Sequence, residues 1–469
     1  MNWTRSAVNR EAWQQAGERL RSGEASLLGL WAEPGRAHMA LMQSGACEVF
    51  TLGCEANRFP SIGRLHAPAI RLERAMRDLT GLQAEGAPDT RPWLHHHGAY
   101  AFLPAEGESL HQIPVGPVHA GIIEPGHFRF TANGETVVRL EARLGYVHKG
   151  IDALMAGASV ERAARLAGRV SGDSTVAFAL AFAQAVEAAL GVEAPPRALW
   201  LRALAAELER LANHFGDIGA VCNDAAFAMM YAQCGQLREQ VLRAAHACFG
   251  HRLMMDCVVP GGIRGDLPDE GARLLLALVA EVRKRFPELV ELYEDTASLK
   301  DRTVGTGILT AELAQQFAAG GYVGRASGRA FDARRTPGYA PYERLQFEVP
   351  VVHAGDVNAR IWIRILEVEQ SLGLVEQIVR GLPPGEIFNA ISLSEKPGGV
   401  EGLALVEGFR GDILAWVRIG PDGKLARCHL RDPSWFQWPL LEAAIEGNIV
   451  ADFPLCNKSF NCSYSGHDL

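Results

Sequence analysis

Residues 174–190 read STVAFALAFAQAVEAAL and are apolar on nearly every face of a helix. A helix of this kind has to be covered on all sides by other elements. Gln184 and Glu187 interrupt the run well short of the roughly 20 apolar residues that a membrane-crossing helix needs. The stretch therefore predicts the central helix of a large helical core and no membrane-spanning segment.

Further helices and two β regions are predicted around this core. Pro196 suits the first turn of the next helix, in which apolar residues recur every three or four positions. The same periodicity predicts helices over 232–249, 270–297 and 358–382. Asn133-Gly134 predicts a β-hairpin over 131–143, and Pro421-Asp422-Gly423 predicts a turn between strands over 401–426. The larger region is thus predicted to be mainly helical, with β elements at both ends.

Residues 1–100 have a different texture, which predicts a small α/β domain. An amphipathic helix is predicted over 1–22, strands over 26–31 and 37–42, and a second helix over 67–82. Gly, Pro and His accumulate over 83–107, which predicts a loop or linker. Within it, His95, His96 and His97 could bind a metal or form a polar linker. We predict an α+β protein with two domains, 1–100 and 101–469.

Composition excludes several classes of function. The chain is 48% hydrophobic and 21% charged, as globular proteins are. Its 46 basic and 54 acidic side chains give a net charge of −8, and the absence of a Lys/Arg run argues against a nucleic-acid partner. Nine cysteines without the spacing of a disulfide framework indicate a reducing compartment. The first residues lack the apolar centre of a signal peptide, so membrane association is expected to come through partners.

Common cofactor motifs are absent. Gly305-Thr306-Gly307 lacks the third glycine of a dinucleotide-binding fingerprint, and no phosphate-binding loop is present. No Cys-x-x-Cys pair exists, although iron–sulfur and zinc sites need close cysteine pairs. We therefore predict no metal and no cofactor bound by this chain.

Ordered segments nevertheless match a known family. Residues 116–130 read GPVHAGIIEPGHFRF, residues 144–151 read LGYVHKGI, and ELERLANH at 207–214 and EGFRGD at 407–412 follow in order. Together they resemble the large subunit of membrane-bound, energy-converting [NiFe]-hydrogenases of the formate hydrogenlyase and hydrogenase-4 type, a family that includes the quinone-site subunit of respiratory complex I. The resemblance covers residues 112–469.

The first region resembles a second subunit of complex I. FPSI at 59–62, ERAMRDLTG at 73–81 and PDTRPWL at 88–94 are similar to its small hydrophilic subunit, except at Ala75, where Glu is usual. The resemblance implies a fusion of the two subunits, as in formate hydrogenlyase-type large subunits.

The resemblance also implies a nickel site, but its four thiolate ligands are missing. Relatives carry Arg-x-Cys-Gly-x-Cys and Asp-Pro-Cys-x-x-Cys segments, since soft sulfur ligands suit these metals. In this chain Ser171, Ser174, Ser463 and Gly466 stand at the four positions. A serine hydroxyl is neutral and hard, and glycine has no side chain. We therefore expect no metal and no hydrogen activation.

The vacated site is predicted to be a substrate cavity. Its expected lining is Ser171, Gly172, Asp173, Ser174, Ser463 and Gly466. The tyrosine that binds the quinone in complex I falls at Gly172, and only His119 matches the first histidine of the complex I pattern. His119 and Glu124 are the candidate proton donors. Glu124 resembles the hydrogenase glutamate that passes protons near the metal, and we expect it to be a partly buried carboxylate with a raised pKa that could do the same here. It could equally pair with Arg129 as a structural contact.

The sequence suggests roles for three further groups of residues and leaves more than one role open for two of them. Glu207, Arg210 and His214 share a helix face and predict a structural polar network. His148-Lys149 is either a packing or partner contact or a loop that couples redox chemistry to ion pumping. Arg325, Arg329, Arg334 and Arg335 predict a basic patch for partner docking, internal ion pairing or anion binding.

Two functions follow from the resemblance. The first is a peripheral subunit on the cytoplasmic face of the inner membrane that passes electrons from an iron–sulfur cluster on a small partner subunit to a quinone or another small acceptor. The second is a non-catalytic coupling subunit that links redox partners to antiporter-like membrane subunits. Loss of the ligands favours the second, whereas retention of Glu124, His119 and Asp173 favours the first.

Overall fold

The computed structural model describes residues 3–94, 100–120, 123–393 and 399–469. The three histidines His95, His96 and His97 lie outside the described residues. The structure is 47% helix and 19% strand, distributed over several small sheets. The prediction of an α+β protein is therefore confirmed.

The N-terminal module is a four-stranded sheet with two helices. Its strands are β1 (Trp3–Val8), β2 (Ser26–Glu33), β3 (Arg36–Gln43) and β4 (Ala46–Gly53), and its helices are α1 (Arg10–Arg21) and α2 (Ala69–Thr80). The sheet order is β1-β4-β3-β2, with β1 and β4 parallel and the other pairs antiparallel. The short parallel pair β5 (Arg58–Pro60) and β6 (Gln83–Glu85) lies on either side of α2 in the chain and belongs to the N-terminal module.

The single helix predicted over 1–22 is wrong in its first third. The Asn9 side chain accepts the Ala12 N–H at 2.9 Å and caps α1, which therefore begins only at Arg10. The residues before this cap pair with β4 as an edge strand. Pairing with a distant strand thus overrides the local helical pattern there.

The remaining elements form the large region. Its strands are β7 (Leu110–Val115), β8 (His127–Asn133), β9 (Thr136–Arg143), β10 (Val258–Val259), β11 (Gly262–Ile263), β12 (Val400–Gly408), β13 (Gly411–Ile419) and β14 (Leu425–Arg431). Its helices are α3 (Ile151–Met155), α4 (Val160–Ala167), α5 (Thr175–Leu190), α6 (Pro196–Asp224), α7 (Ala228–Phe249), α8 (Asp269–Asp295), α9 (Ala297–Thr303), α10 (Ala311–Gln316), α11 (Gly321–Ala326), α12 (Val357–Gly381), α13 (Ser434–Ala444), α14 (Phe453–Phe460) and α15 (Tyr464–Asp468). The predicted hairpin appears as β8–β9, and the predicted C-terminal strands appear as β12–β14.

Helix α5 is the core helix that the sequence predicted. It packs between α6 and the β12–β13 hairpin, and Gly402 of β12 approaches it so closely that a Cβ there would overlap the Ala185 carbonyl. By length and composition alone, one helix of the described residues, 172–190, could cross a membrane, but 83% of that window is buried inside the chain. Its apolar surface is therefore used for packing.

The N-terminal module packs directly on the C-terminal sheet. Leu28 and Trp31 of β2 share one apolar cluster with Leu414 and Trp416 of β13. The Arg431 guanidinium donates to the Leu28 carbonyl at 2.7 Å across the same contact. The domain boundary at residue 100 stays a prediction.

Glu73 gives the N-terminal module a pH-dependent stability. Its buried carboxylate accepts the Ile62 N–H at 2.6 Å and the Gly63 N–H at 3.0 Å. Burial raises its pKa to about 7, against the lowering effect of these donors. The folded chain thus keeps this proton up to about pH 7, whereas an unfolded chain releases it near the ordinary glutamate pKa of 4.5. Between these two pH values unfolding releases a proton, so the stability of the folded chain falls as the pH rises.

At each pH we subtract the free energy of unfolding of the Glu73→Gln variant from that of the parent. We expect this difference to fall by roughly 3 kcal/mol as the pH rises from 4.5 to 8, because only the parent has to keep a proton on residue 73. Urea denaturation at a series of pH values measures this difference. Glu55→Gln, at an exposed carboxylate of the same module, is the control and should differ from the parent by a constant amount. A constant difference for Glu73→Gln as well would contradict the assignment.

Candidate functional site

The two segments that correspond to the missing nickel ligands meet in the structure. Ser171 precedes the helical turn that leads into α5, and Ser463 caps α15 by accepting the Gly466 N–H at 2.9 Å. The Ser463 hydroxyl in turn donates to the Ser171 hydroxyl at 3.4 Å. Folding thus joins residues almost 300 positions apart into one hydrogen-bonded cluster.

An ion pair closes this cluster on one side. The Arg410 guanidinium, at the turn between β12 and β13, donates to both oxygens of Asp173 at 2.9 and 2.6 Å and to the Ser174 hydroxyl at 3.2 Å. The Ser171 hydroxyl donates to the same carboxylate at 2.5 Å. Desolvation raises the pKa of Asp173, but Arg410 and the two serines outweigh it and lower that pKa to about 2. Asp173 is therefore an anion at neutral pH.

The residues at the former ligand positions do not fit a nickel–iron centre. Hydroxyls replace three thiolates, and a Cβ at Gly466 would overlap Asp432 Oδ2. Cys456 and Cys462 are close in sequence, but burial raises the pKa of both thiols, that of Cys456 to about 11. Across the described ranges, no group of three or more His, Cys, Asp or Glu side chains could hold a metal ion.

A cavity of about 100 Å³ lies beside the cluster, between α6 and α7. Of the predicted lining residues, Gly172 and Asp173 border it, together with Glu209 and Asn213 of α6. Ser171, Ser174, Ser463 and Gly466 are buried in the hydrogen-bonded cluster and do not line this cavity. The structure therefore divides the predicted lining into two parts.

Glu209 is a site residue that the sequence reasoning missed. Its carboxylate accepts the Val176 N–H at 2.7 Å and the Ala177 N–H at 3.0 Å, at the start of α5. Burial raises its pKa to about 8, although these two donors lower it, so the group is mostly protonated at neutral pH. The residue stands in the motif ELERLANH, but not on the helix face shared by Glu207, Arg210 and His214. Its place at the cavity beside Asp173 emerges only when α5, α6 and α7 are packed.

Glu124 and His119 lie at the C-terminal segment and do not line the cavity. Glu124 is exposed, which corrects the expectation of partial burial, and its carboxylate accepts the Ser465 N–H at 3.0 Å. The alternative of a pair with Arg129 is wrong, because that guanidinium lies 4.5 Å from the Phe102 ring centroid and donates to His127 at 3.4 Å. His119 Nε2 is buried without a hydrogen-bond partner among the described residues, and burial lowers the pKa of its ring.

Glu207, Arg210 and His214 form part of a fully buried polar network. Glu207 accepts from Tyr342 at 2.7 Å and pairs with Arg334 at 3.0 Å. Arg210 lies 3.3 Å from Glu207 and donates to the Glu407 and Gly408 carbonyls, and His214 Nε2 lies 2.7 Å from a Glu367 oxygen. These contacts hold α6, α12 and β12 together.

The four arginines of the predicted basic patch have partners within the chain. Arg325 and Arg334 are buried in ion pairs with Glu367 and Asp332. Of the three interpretations of the patch, these contacts agree with internal ion pairing. Arg329 donates to the Ala319 carbonyl at 2.9 Å, and Arg335 donates to the Phe347 carbonyl.

The His148-Lys149 segment binds the end of the chain. The Lys149 ammonium donates to the Arg169 and Val170 carbonyls at 2.8 and 2.6 Å. The backbone N–H of Lys149 donates to the Leu469 carbonyl at 2.7 Å. His148 Nδ1 lies 2.7 Å from the Asp468 carbonyl. The segment is therefore at least a packing contact for α15.

Comparisons with known proteins agree on one family. The family model of the respiratory-chain NADH dehydrogenase 49 Kd subunit matches residues 224–397. Formate hydrogenlyase subunit 5 of Escherichia coli is 30% identical over 453 residues, covering 88% of this chain and 78% of that protein. One NADH-quinone oxidoreductase subunit from Dehalococcoides mccartyi is 31% identical, covering 72% of this chain and 92% of that protein.

A solved structure is also similar. A chain in the structure of the membrane-bound sulfane sulfur reductase, an archaeal respiratory membrane complex, is 25% identical to this chain with a TM-score of 0.72. The match covers 77% of this chain and 99% of that chain.

The closed cluster predicts how a side chain at Gly466 is tolerated. We expect Gly466→Ala to lower the free energy of unfolding by about 1–3 kcal/mol, because its Cβ would overlap Asp432 and lie 2.8 Å from the Ser463 hydroxyl. Gly172→Ala is the control, since no atom lies within 4 Å of its Cβ position, and its stability should stay the same or rise by less than about 1 kcal/mol. Chemical denaturation measures both, and equal effects would mean that the cluster is open.

Proposed function

Because the chain belongs to the family of the respiratory-chain NADH dehydrogenase 49 kDa subunit and the formate hydrogenlyase large subunits, we propose that it is the acceptor-reducing subunit of a membrane-associated oxidoreductase complex. Electrons reach it from an iron–sulfur cluster on a small partner subunit. The acceptor is a quinone or another small molecule, and no nickel–iron centre takes part. The chain itself is peripheral, on the cytoplasmic face, and antiporter-like subunits are its membrane partners.

The pairing of two carboxylates in opposite protonation states carries this proposal. Glu209 and Asp173 border the same cavity, and their pKa values are shifted to about 8 and about 2. Carboxyl groups whose environments push their pKa values apart can divide acid and anion roles. At neutral pH Glu209 can give a proton to a reduced acceptor, while Asp173 stays charged and holds Arg410.

Proton supply is the chemistry that such a reduction needs from this chain. A quinone becomes a quinol by taking up two electrons and two protons, with the electrons coming from the partner's cluster. Glu209 supplies one proton and regains it from solvent. Glu124 and His119 stay proposed donors for the second, and both contact the C-terminal segment that carries Ser463 and Gly466.

The size of the cavity bears on the acceptor. A cavity of about 150 Å³ admits a benzene ring, whereas this one holds about 100 Å³. A quinone ring therefore needs additional space, which a surface shared with the partner subunit can provide. A sulfane sulfur compound is favoured by a different observation, because the similar solved structure is that of a sulfane sulfur reductase. We keep this compound class as the second candidate.

We expect Glu209→Gln to lower the rate at which the complete purified complex reduces its acceptor at least about tenfold. The Gln side-chain oxygen can still accept hydrogen bonds from the backbone N–H groups of α5, but the amide has no acidic proton to transfer. Turnover by the parent should fall as the pH rises through about 8, where Glu209 loses its proton, and this limb should vanish in the variant. Steady-state rates with a short-chain quinone and with an organic trisulfide measure both effects.

Glu73→Gln is the matched control, because Glu73 is also buried, has a raised pKa and accepts two backbone N–H groups, but lies away from the cavity. Its turnover should equal that of the parent. Unchanged turnover in Glu209→Gln would remove Glu209 from the mechanism, as unchanged turnover in Glu124→Gln and His119→Ala would remove those residues. Stoichiometric nickel would overturn the proposal, and an intact complex that reduces neither acceptor would support the non-catalytic coupling subunit instead.

A further inference from the structure

The cavity between α6 and α7 carries a positive charge that no described residue compensates. Arg238 of α7 lines this cavity and is half-buried, yet it has no hydrogen bond or ion pair with any described residue. Its nitrogens are not among the fully buried polar atoms that lack a partner in the described ranges. The guanidinium group is therefore accessible, and a ligand in the cavity can reach it.

The other charged groups of the lining are neutralised. Arg410 donates to both oxygens of Asp173, and Arg252 donates to both oxygens of Glu239 at 3.0 and 2.7 Å. The raised pKa of Glu209 keeps that carboxyl mostly uncharged at neutral pH. The rest of the wall is mainly apolar. One unpaired guanidinium in such a wall favours an anionic ligand.

Helix α6 leaves room for the Arg238 side chain. A Cβ at Gly216 would lie 3.1 Å from Arg238 Cδ and 3.2 Å from its Nε, so the arginine stem lies against bare backbone of α6. Asn213 is three residues before Gly216 on the same helix, and residues at this spacing are neighbours on one helix face. The packing therefore holds the guanidinium group close to Asn213, which also lines the cavity.

Asn213 offers a hydrogen-bond acceptor beside this cation. Its Nδ2 donates to the Asp173 and Glu209 carbonyls, both at 2.8 Å, which uses both N–H bonds and fixes the orientation of the amide. Its Oδ1 has no partner among the described residues and is not one of their fully buried polar atoms without a partner. A ligand with a hydroxyl group can therefore donate to Asn213 Oδ1.

The volume and the guanidinium group together narrow the choice of anion. A cavity of about 150 Å³ admits a benzene ring, so in proportion about 100 Å³ admits roughly four non-hydrogen atoms. A guanidinium group is planar and pairs best with two oxygens in one plane. Acetate meets both conditions but has no hydroxyl group. Bicarbonate meets both and also has one.

We propose that this cavity binds one bicarbonate ion. Two oxygens of the ion accept from the Arg238 guanidinium, and its hydroxyl group donates to Asn213 Oδ1. The inference goes beyond the proposed function, because binding needs no electron transfer and would occur in a non-catalytic coupling subunit as well. Under the proposed function, a small acceptor that enters this cavity has to displace the ion.

Calorimetric titration of the full-length chain with sodium bicarbonate near neutral pH tests the proposal. We expect one ion bound per chain, about threefold or more tightly than acetate and about tenfold or more tightly than chloride. Acetate keeps the planar pair of oxygens but lacks the hydroxyl group, and chloride lacks both. No electron donor is present, so a failure to bind is distinguishable from a failure to reduce an acceptor.

Substitutions locate the ion in the cavity. Arg238→Gln breaks no ion pair among the described residues and should weaken bicarbonate binding about tenfold or more. Arg273→Gln is the matched control, since this side chain of α8 is 72% exposed, does not line the cavity and should leave the affinity unchanged. Asn213→Ala should abolish the preference for bicarbonate over acetate, and this ratio of affinities is insensitive to partial unfolding.

Four results would each overturn the proposal. They are the absence of bicarbonate binding, equal affinity for chloride, equal affinity for acetate, and binding that is as tight in Arg238→Gln as in the parent. A preference over acetate that survives Asn213→Ala would show that the hydroxyl group binds elsewhere, and it would overturn the assigned orientation of the ion.

Discussion

The structure depends on charges that are buried and must be paired. Arg325 lies 2.5 Å from Glu367, 2.9 Å from Glu407 and 3.5 Å from Asp332, and all four side chains are at most 1% exposed. Removing one partner of such a pair leaves an uncompensated charge and costs several kcal/mol. The network therefore allows one arrangement of α11, α12 and β12. Burial and the nearby Asp332 carboxylate raise the pKa of Glu407 to about 7, against the lowering effect of Arg325 and Arg210.

This constraint reaches the candidate site through a short turn. Glu407 and Arg410 are three residues apart at the end of β12, so the network that fixes the first also positions the second. Arg410 then holds Asp173 and, through it, the start of α5. Glu209 caps that same helix from the other side of the cavity. The two carboxylates keep opposite protonation states because only one of them has a guanidinium partner.

Much of the architecture could be predicted from local patterns. The apolar run at 174–190 and the three- and four-residue spacing after Pro196 predict helices that begin within a residue of α5 and α6. The first strand could not be predicted, since it exists only through pairing with β4. For the site, Gly172 and Asp173 do border a cavity, whereas Glu209 was missed, and Glu124, which was expected to be partly buried, is exposed. Burial and pKa depend on neighbours that are distant in sequence.

The sequence by itself determined which ligands this chain lacks. Whether a position offers a thiolate, a hydroxyl or no side chain is a property of the residue, and Ser171, Ser174, Ser463 and Gly466 offer no thiolate in any conformation. Only the tertiary structure decided what these four positions form. Folding closed these four positions into a hydrogen-bonded cluster and left the cavity to Asp173 and Glu209. Cavities and proton affinities arise from packing and desolvation between remote segments, which local sequence does not encode.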